Sequence, residues 1–289
     1  MSEGLARVHR WLAPSTYLLV TLQALLILTG GAVRLSGSGL GCPTWPECTE
    51  GSITPVHNQL EGPLHSWIEF GNRLLTFALF FAAIATLALV IKAGRRDLRL
   101  LALSQIGGIF GQGVLGGITV LTDLNPLAVA SHFLLSIALL AAAISLNVRA
   151  LYDVKPASTY TRFSRSHIFL TFIVIAVGTL VTGTGPHAGD AQAPRLHINL
   201  PVIAKSHGIL VALLIALTIY LFLKSTNAET KKWLSLFLLI ASAQGALGVI
   251  QYLQGVPQLL VALHLLGASL TWIAAWRIHL SEKFTFTNK

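Results

Sequence analysis

Apolar residues along the chain gather into eight long runs, at about 15–34, 67–91, 100–121, 128–148, 167–184, 202–223, 233–252 and 258–276, separated by polar breaks. A bilayer core roughly 30 Å thick takes about 20 residues of helix to cross. Each run is of that order, so the pattern predicts eight transmembrane α-helices and an all-α polytopic membrane protein. A helix satisfies its own backbone N–H and C=O groups, which is what the absence of water in the lipid core demands. The first run is too long for a signal-peptide core and lacks a convincing cleavage site, so it is expected to remain as the first helix.

Charge fixes the expected orientation. Of 20 Lys and Arg residues, sixteen fall on one set of termini and loops. They are Arg7, Arg10, Lys92, Arg95, Arg96, Arg99, Arg149, Lys155, Arg162, Arg165, Lys224, Lys231, Lys232, Arg277, Lys283 and Lys289. The other side has only Arg34, Arg73, Arg195 and Lys205. The positive-inside bias places both termini in the cytoplasm of a bacterial-type cytoplasmic membrane. The net charge of +9 would prompt a nucleic-acid reading in a soluble protein, but here it is topology, so no nucleic-acid partner is expected. With 11% charged residues and a mean hydropathy of +0.70, most of the surface must face lipid.

The chain reads as two related halves, 1–150 and 151–289, each of four helices, joined by the cytoplasmic stretch around 149–166. Gln112-Gly-Val-Leu-Gly-Gly117 recurs as Gln244-Gly-Ala-Leu-Gly-Val249, and each Gln is followed twenty positions later by a histidine, His132 and His264. Ser36-Gly-Ser-Gly39 matches Thr182-Gly-Thr-Gly185, and Ile68–Leu75 aligns with Ile203–Leu210, setting Asn72 opposite His207. Four blocks in one order, at offsets of 132 to 146, point to duplication. An even number of helices per half makes the repeats parallel, about an axis along the membrane normal. The long outer loops 35–66 and 185–201 are expected to form paired lids over paired sites.

Ionisable groups inside a bilayer are costly and generally functional. His132, His207 and His264 all fall in the outer leaflet, where an imidazole can pack, carry a proton or bind metal. His207 and His264, at equivalent depth in one bundle, suit axial ligation of a haem iron. The only methionine is Met1, which removes His/Met ligation. The first half has Asn72 with His132, so iron there would be held by His132 alone. Glu69, Asn72 and Arg73 share a helix face. Glu69 either pairs with Arg73 as a helix-end charge or faces a substrate to accept a proton or stabilise positive charge. Ala204 stands in its place in the second half. Arg34 and Lys205 are candidates for pairing with haem propionates, with snorkelling as the alternative. His57, His65, His187 and His197 fall in outer loops or at helix borders, with His65 the best placed. The two cysteines, Cys42 and Cys48, lie in the first outer loop on the oxidising side, where a disulfide can persist. A structural staple and a redox-active pair are both open.

The stretch Arg34-Leu-Ser-Gly-Ser-Gly-Leu-Gly-Cys-Pro-Thr-Trp-Pro-Glu-Cys48, followed by Trp67-Ile-Glu-Phe-Gly-Asn-Arg73, resembles the haem A synthase family. The duplicated histidine-bearing helices agree, and the resemblance runs over essentially the whole chain. It implies oxidation of haem O to haem A, in which a porphyrin methyl becomes a formyl group through successive hydroxylations. It implies haem b in the second half on His207 and His264. The substrate haem would enter the first half, with His132 as a ligand and Glu69 as catalytic carboxylate. Cys42 and Cys48 would form a disulfide. Expected partners are the bilayer, haem O handed over by a haem O synthase, an electron donor and, for a homo-oligomer, a second copy of the chain. One departure stands out: the family's Glu-x-x-His-Arg is here Glu69-Phe-Gly-Asn72-Arg73.

Two rival functions fit parts of the pattern. A non-catalytic cytochrome passing electrons from quinol to an outer partner explains the histidine pair but not a carboxylate kept in one half. A transporter with inverted symmetry and a midplane site fits less, since the repeats here are parallel and the polar groups cluster at the outer leaflet.

Overall fold

The computed structural model describes residues 3–157 and 162–288. Eight helices run through them: α1 (Glu3–Leu35), α2 (Pro63–Lys92), α3 (Arg96–Leu121), α4 (Pro126–Leu151), α5 (Arg162–Thr184), α6 (Leu200–Lys224), α7 (Ala228–Leu253) and α8 (Gln258–Lys283). All eight contain stretches long and apolar enough to cross a membrane. The chain is an all-α polytopic membrane protein. Of the basic residues that set the expected topology, the side chains of Arg7 and Arg162 and all of Lys289 lie outside the described residues, as does the side chain of His9. The same holds for residues 158–161 of the expected linker.

The helices outrun the apolar runs that predict them, most of all α1, which begins at Glu3 rather than near residue 15. Hydropathy sees only the lipid-facing stretch, while the backbone ladder continues into polar turns. Their starts carry local signals. Asn125, Asn199 and Asn227 accept backbone N–H bonds from Leu127, Val202 and both Glu229 and Thr230, as asparagine does at an N-cap. Pro63, Pro126 and Pro201 lie in first turns, where a missing N–H costs nothing.

Helices α1–α4 form one compact unit with Ala188–Pro194, and α5–α8 form another. In the first, α1 packs on α2 and α4, and α3 on α2 and α4, closing a ring. In the second, α5 packs on α6 and α8, and α7 on α6 and α8. Diagonal helices in each ring therefore face one another across the interior. The expectation of one lid per half is not what is seen: Ala188–Pro194, from the segment between α5 and α6, belongs to the first unit. There Ala188 and Ala193 pack with Leu124, and Gly39 N–H donates to the Gly189 carbonyl at 2.9 Å.

Both rings are solidly packed away from these loops. Leu12, Leu19, Val90, Leu98, Ala102 and Leu146 are in the core of the first unit, and Leu221, Leu234, Phe237 and Ile278 in that of the second. Polar ties reinforce them, as is usual between membrane helices. Gln23 Nε2 donates to Gln105 Oε1 at 3.0 Å, and Asn147 Nδ2 to Thr16 Oγ1 at 3.1 Å. In the second unit fully buried His167 meets Thr218 Oγ1 at 3.1 Å and lies edge-on to Phe237. Large side chains such as Phe77, Phe110, Phe169 and Leu239 point outward, as lipid contact requires. Leu124 and Val256, in the turns before α4 and α8, have φ of 61° and 63°, a left-handed conformation costly for such side chains.

Candidate functional site

His132 and His264 are the seventh residues of α4 and α8, and His207 the eighth of α6, so all three lie about two turns in from the loop-rich ends. His207 and His264 stand on diagonal helices of one ring and are close enough to interact electrostatically. In the first unit Asn72 on α2 and His132 on α4 occupy the corresponding diagonal.

Each of these side chains rests against a glycine of a neighbouring helix. A Cβ at Gly178 of α5 would lie 3.2 Å from His207 Cε1. One at Gly248 of α7 would lie 3.4 Å from His264 Cε1, and one at Gly116 of α3 would lie 3.4 Å from His132 Cε1. Gly30 of α1 takes the same part more loosely, its Cβ position 4.0 Å from Asn72 Nδ2. A Cβ at Gly178 would press on the His207 ring, whereas at Gly116 and Gly248 it would just touch the ring and at Gly30 it would only contact Asn72. The packed aliphatic layer of each unit thus gives way, at this level, to imidazoles backed by glycine.

Each ring keeps a nitrogen that the protein does not engage. Nδ1 of His132, His207 and His264 is buried in each case without a hydrogen-bond partner, although the His207 ring lies beside the Val174 backbone. Orphaned buried nitrogens are rare and call for a cause. Among the described residues no three His, Cys, Asp or Glu side chains come together to hold a metal ion. Single and paired imidazoles in glycine-backed positions instead suit a metal that brings most of its own ligands, as haem iron does. The residues present fit haem.

Gln112 supports His132 from one turn before Gly116. Its Nε2 donates to the His132 carbonyl at 3.2 Å and to Ser136 Oγ at 2.9 Å. Gln244 packs against Gly267 of α8, where a Cβ would collide with its amide.

Over the first ring the loop between α1 and α2 forms a fastened cap. Cys42 and Cys48 are joined in a disulfide and fully buried. Glu69, itself buried, accepts the Cys42 N–H at Oε2 (2.8 Å) and Arg73 Nη2 at Oε1 (2.6 Å). Arg73 also donates to the carbonyls of Cys42, Thr44 and Glu47 at 3.0, 3.3 and 3.0 Å. Gln59 Nε2 donates to the Gly41 carbonyl at 2.6 Å. Trp45 lies over Gly117, whose Cβ would come within 2.6 Å of the indole. The adjacent glycines Gly116 and Gly117 thus admit His132 and Trp45 respectively. Of the two roles weighed for Glu69, the pairing with Arg73 is present, and the same carboxylate also carries the disulfide loop through the Cys42 N–H.

The remaining candidates divide. His65 Nδ1 lies 2.9 Å from Ser38 Oγ and fastens the loop base. Arg34 ends α1, beside the chain at Gly189. Lys205 is exposed, and two positions from His207 it cannot share that ring's helix face. His187 contacts the Val256 carbonyl at 2.7 Å, while His57 and His197 are exposed. Sequence reasoning missed the glycine backing, Thr29 behind Asn72 and Trp45 on Gly117. The signal for the first was present in the glycine four residues after Gln112 and Gln244.

Comparison with known proteins gives a consistent result. The profile of the family described as "Cytochrome oxidase assembly protein" matches residues 10–194. That span holds Cys42, Cys48, Glu69, Asn72 and His132 and ends before His207 and His264. A "Heme A synthase" of Alkalihalophilus pseudofirmus is 29% identical over 182 residues, covering 62% of this chain and 59% of that protein. One from Shewanella oneidensis is 29% identical over 171 residues, covering 55% and 52%. One from Shouchella clausii is 27% identical over 277 residues, covering 86% and 87%. The chain therefore spans about three fifths of the first relative, half of the second and most of the third.

Proposed function

The chain belongs to the haem A synthase family of cytochrome oxidase assembly proteins, and from that premise we propose that it oxidises haem O to haem A, turning a porphyrin methyl into a formyl group by successive hydroxylations. The observation that carries this reading is three half-buried imidazoles, each with a buried Nδ1 that makes no hydrogen bond and each backed by glycine, together with Glu69, the buried carboxylate among the described residues.

In this reading the halves 1–150 and 151–289 are parallel repeats with divided labour. His207 and His264 hold haem b, which when bound supplies one-electron transfer. His132 holds the substrate haem O in the first unit. Gln112 and Gly116 set the depth of the His132 ring. Glu69 faces the reacting end of the substrate, with Arg73 and the Cys42 N–H fixing its two oxygens, and accepts the proton released there. The disulfide loop shields that position from water. Arg34, at the loop-rich end of α1, pairs with a propionate, while Lys205, off the His207 face, snorkels to the membrane surface. Both termini are cytoplasmic and both sites lie towards the outer face. Haem O arrives from a haem O synthase; each hydroxylation takes two electrons from the methyl carbon with dioxygen as oxidant, and an electron donor reduces the second oxygen atom to water.

The test is pigment extraction from the full chain expressed with a supply of haem O. Haem A or its hydroxylated precursor is the expected product, and well-folded protein that yields neither contradicts the reading. Glu69→Gln should lower product by about 100-fold or more with haem b spectra unchanged. An unaltered yield would return the chain to the electron-transferring cytochrome.

A further inference from the structure

Asn72 stands where the second unit has His207, and its surroundings say what it does there. Thr29 of α1 donates its hydroxyl to Asn72 Oδ1 at 2.7 Å, the shortest of three acceptors within reach; the others are the Leu25 and Leu26 carbonyls at 3.1 and 3.3 Å. This contact pins the carboxamide by its acceptor end. The donor end, Nδ2, lies 4.0 Å from where a Cβ would stand at Gly30, the next residue of α1, and the missing side chain there leaves it room. Among the described residues no hydrogen bond takes up Nδ2. A carboxamide is a poor ligand for iron but offers two N–H donors. Across the ring, His132 presents an imidazole whose Nδ1 has no partner.

We propose that the first unit is a one-histidine haem site, in which His132 is the sole protein ligand. Asn72, oriented by Thr29, directs a hydrogen-bond donor at a small anionic or polar ligand bound on the opposite face. The second unit, with imidazoles on both diagonal helices, has no such place. The two sites thus differ in what they admit: the first takes a porphyrin plus a small exogenous ligand, the second a porphyrin alone. This rests on the reading that the first unit binds haem O. Thr29 is a positioning residue, acting through Asn72.

The experiment uses the purified full chain, saturated with haem O in the ferric state and titrated with cyanide. The expected spectrum combines one low-spin haem, indifferent to cyanide, with one high-spin haem that binds it. Asn72→His should convert the second haem to low spin and abolish cyanide binding. Asn72→Leu should keep it high-spin and weaken cyanide about tenfold, as loss of a hydrogen bond to a charged group does. Thr29→Val should weaken it by a smaller factor. The low-spin signal of the His207/His264 haem, present in every sample, reports that each variant has folded. A second haem that is already low-spin and inert to cyanide in the unaltered chain overturns the proposal, as does Asn72→His remaining high-spin. If no second haem binds while the first is intact, the reading of the first unit falls, and this inference with it.

Discussion

The two four-helix rings share a plan at the level of their histidines and part company at the rim. In both, a side chain on the second and fourth helix is backed by a glycine on the first and third: Gly30, Asn72, Gly116 and His132 in one, Gly178, His207, Gly248 and His264 in the other. Above that level the first ring is fastened by a disulfide, an ion pair, three guanidinium–carbonyl bonds and an indole set on Gly117. The second has Ala204 for Glu69, Gly208 for Arg73 and an exposed Val249 for Gly117. Under the proposed function, the same interior geometry holds a prosthetic group in one half and presents a substrate in the other. What changes is the polar equipment at the mouth and the side chain on the second helix, Asn72 against His207. An electron carrier needs two fixed ligands and nothing else nearby, whereas a substrate must be oriented, shielded and deprotonated.

The sharpest way to break this comparison is to remove ligands one ring at a time. His207→Ala or His264→Ala should abolish the low-spin haem signal, while His132→Ala should leave it and lower turnover. An unchanged low-spin spectrum in His207→Ala would mean that the labour is not divided between the rings as described. Next in size is Glu69→Gln, with its loss of about 100-fold or more in product, against Ala204→Glu, which should leave the yield of haem A unchanged. A gain or loss from Ala204→Glu would show the second mouth to be chemically engaged.

The fastened rim should matter less. Replacing Cys42 and Cys48 by serine opens a cross-link between residues six apart and should cost about 2 kcal/mol locally. Thermal unfolding followed through the outer loop should then come earlier, with the second unit's haem signal unaffected. Equal destabilisation of both would deny that the rim belongs to the first ring alone. The smallest effects are those of single methyl groups. Gly178→Ala places a Cβ 3.2 Å from His207 and should visibly shift the low-spin spectrum, at a cost of about 1 kcal/mol. Gly248→Ala, at 3.4 Å from His264, should shift it less. A reversed order would show that His264, not His207, is the more tightly seated ring.

The eight helices were legible because membrane crossing writes itself into hydropathy over about 20 residues at a time. The histidines and Glu69 stood out because ionisable groups in an apolar run are expensive. The i,i+4 spacing of Glu69 and Arg73 also announced their pairing. What could not be read was anything that depends on a neighbour distant in sequence. Trp45 meets Gly117 across 72 positions, and Gly178 meets His207 across 29. The placing of Ala188–Pro194 on the first unit went against the symmetry that the duplicated motifs suggested.

By itself, then, the sequence determined the number of helices, their order, the charge bias of their ends and the short list of groups able to do chemistry. These follow from local properties, namely apolar length, the distribution of basic residues and the cost of a charge in lipid. Tertiary structure alone decided which glycine backs which ring, that Glu69 holds the disulfide loop as well as Arg73, and that Thr29 turns Asn72. Those relations are set by the packing of separate helices against one another, a free-energy balance to which every element contributes and which no single stretch of chain contains.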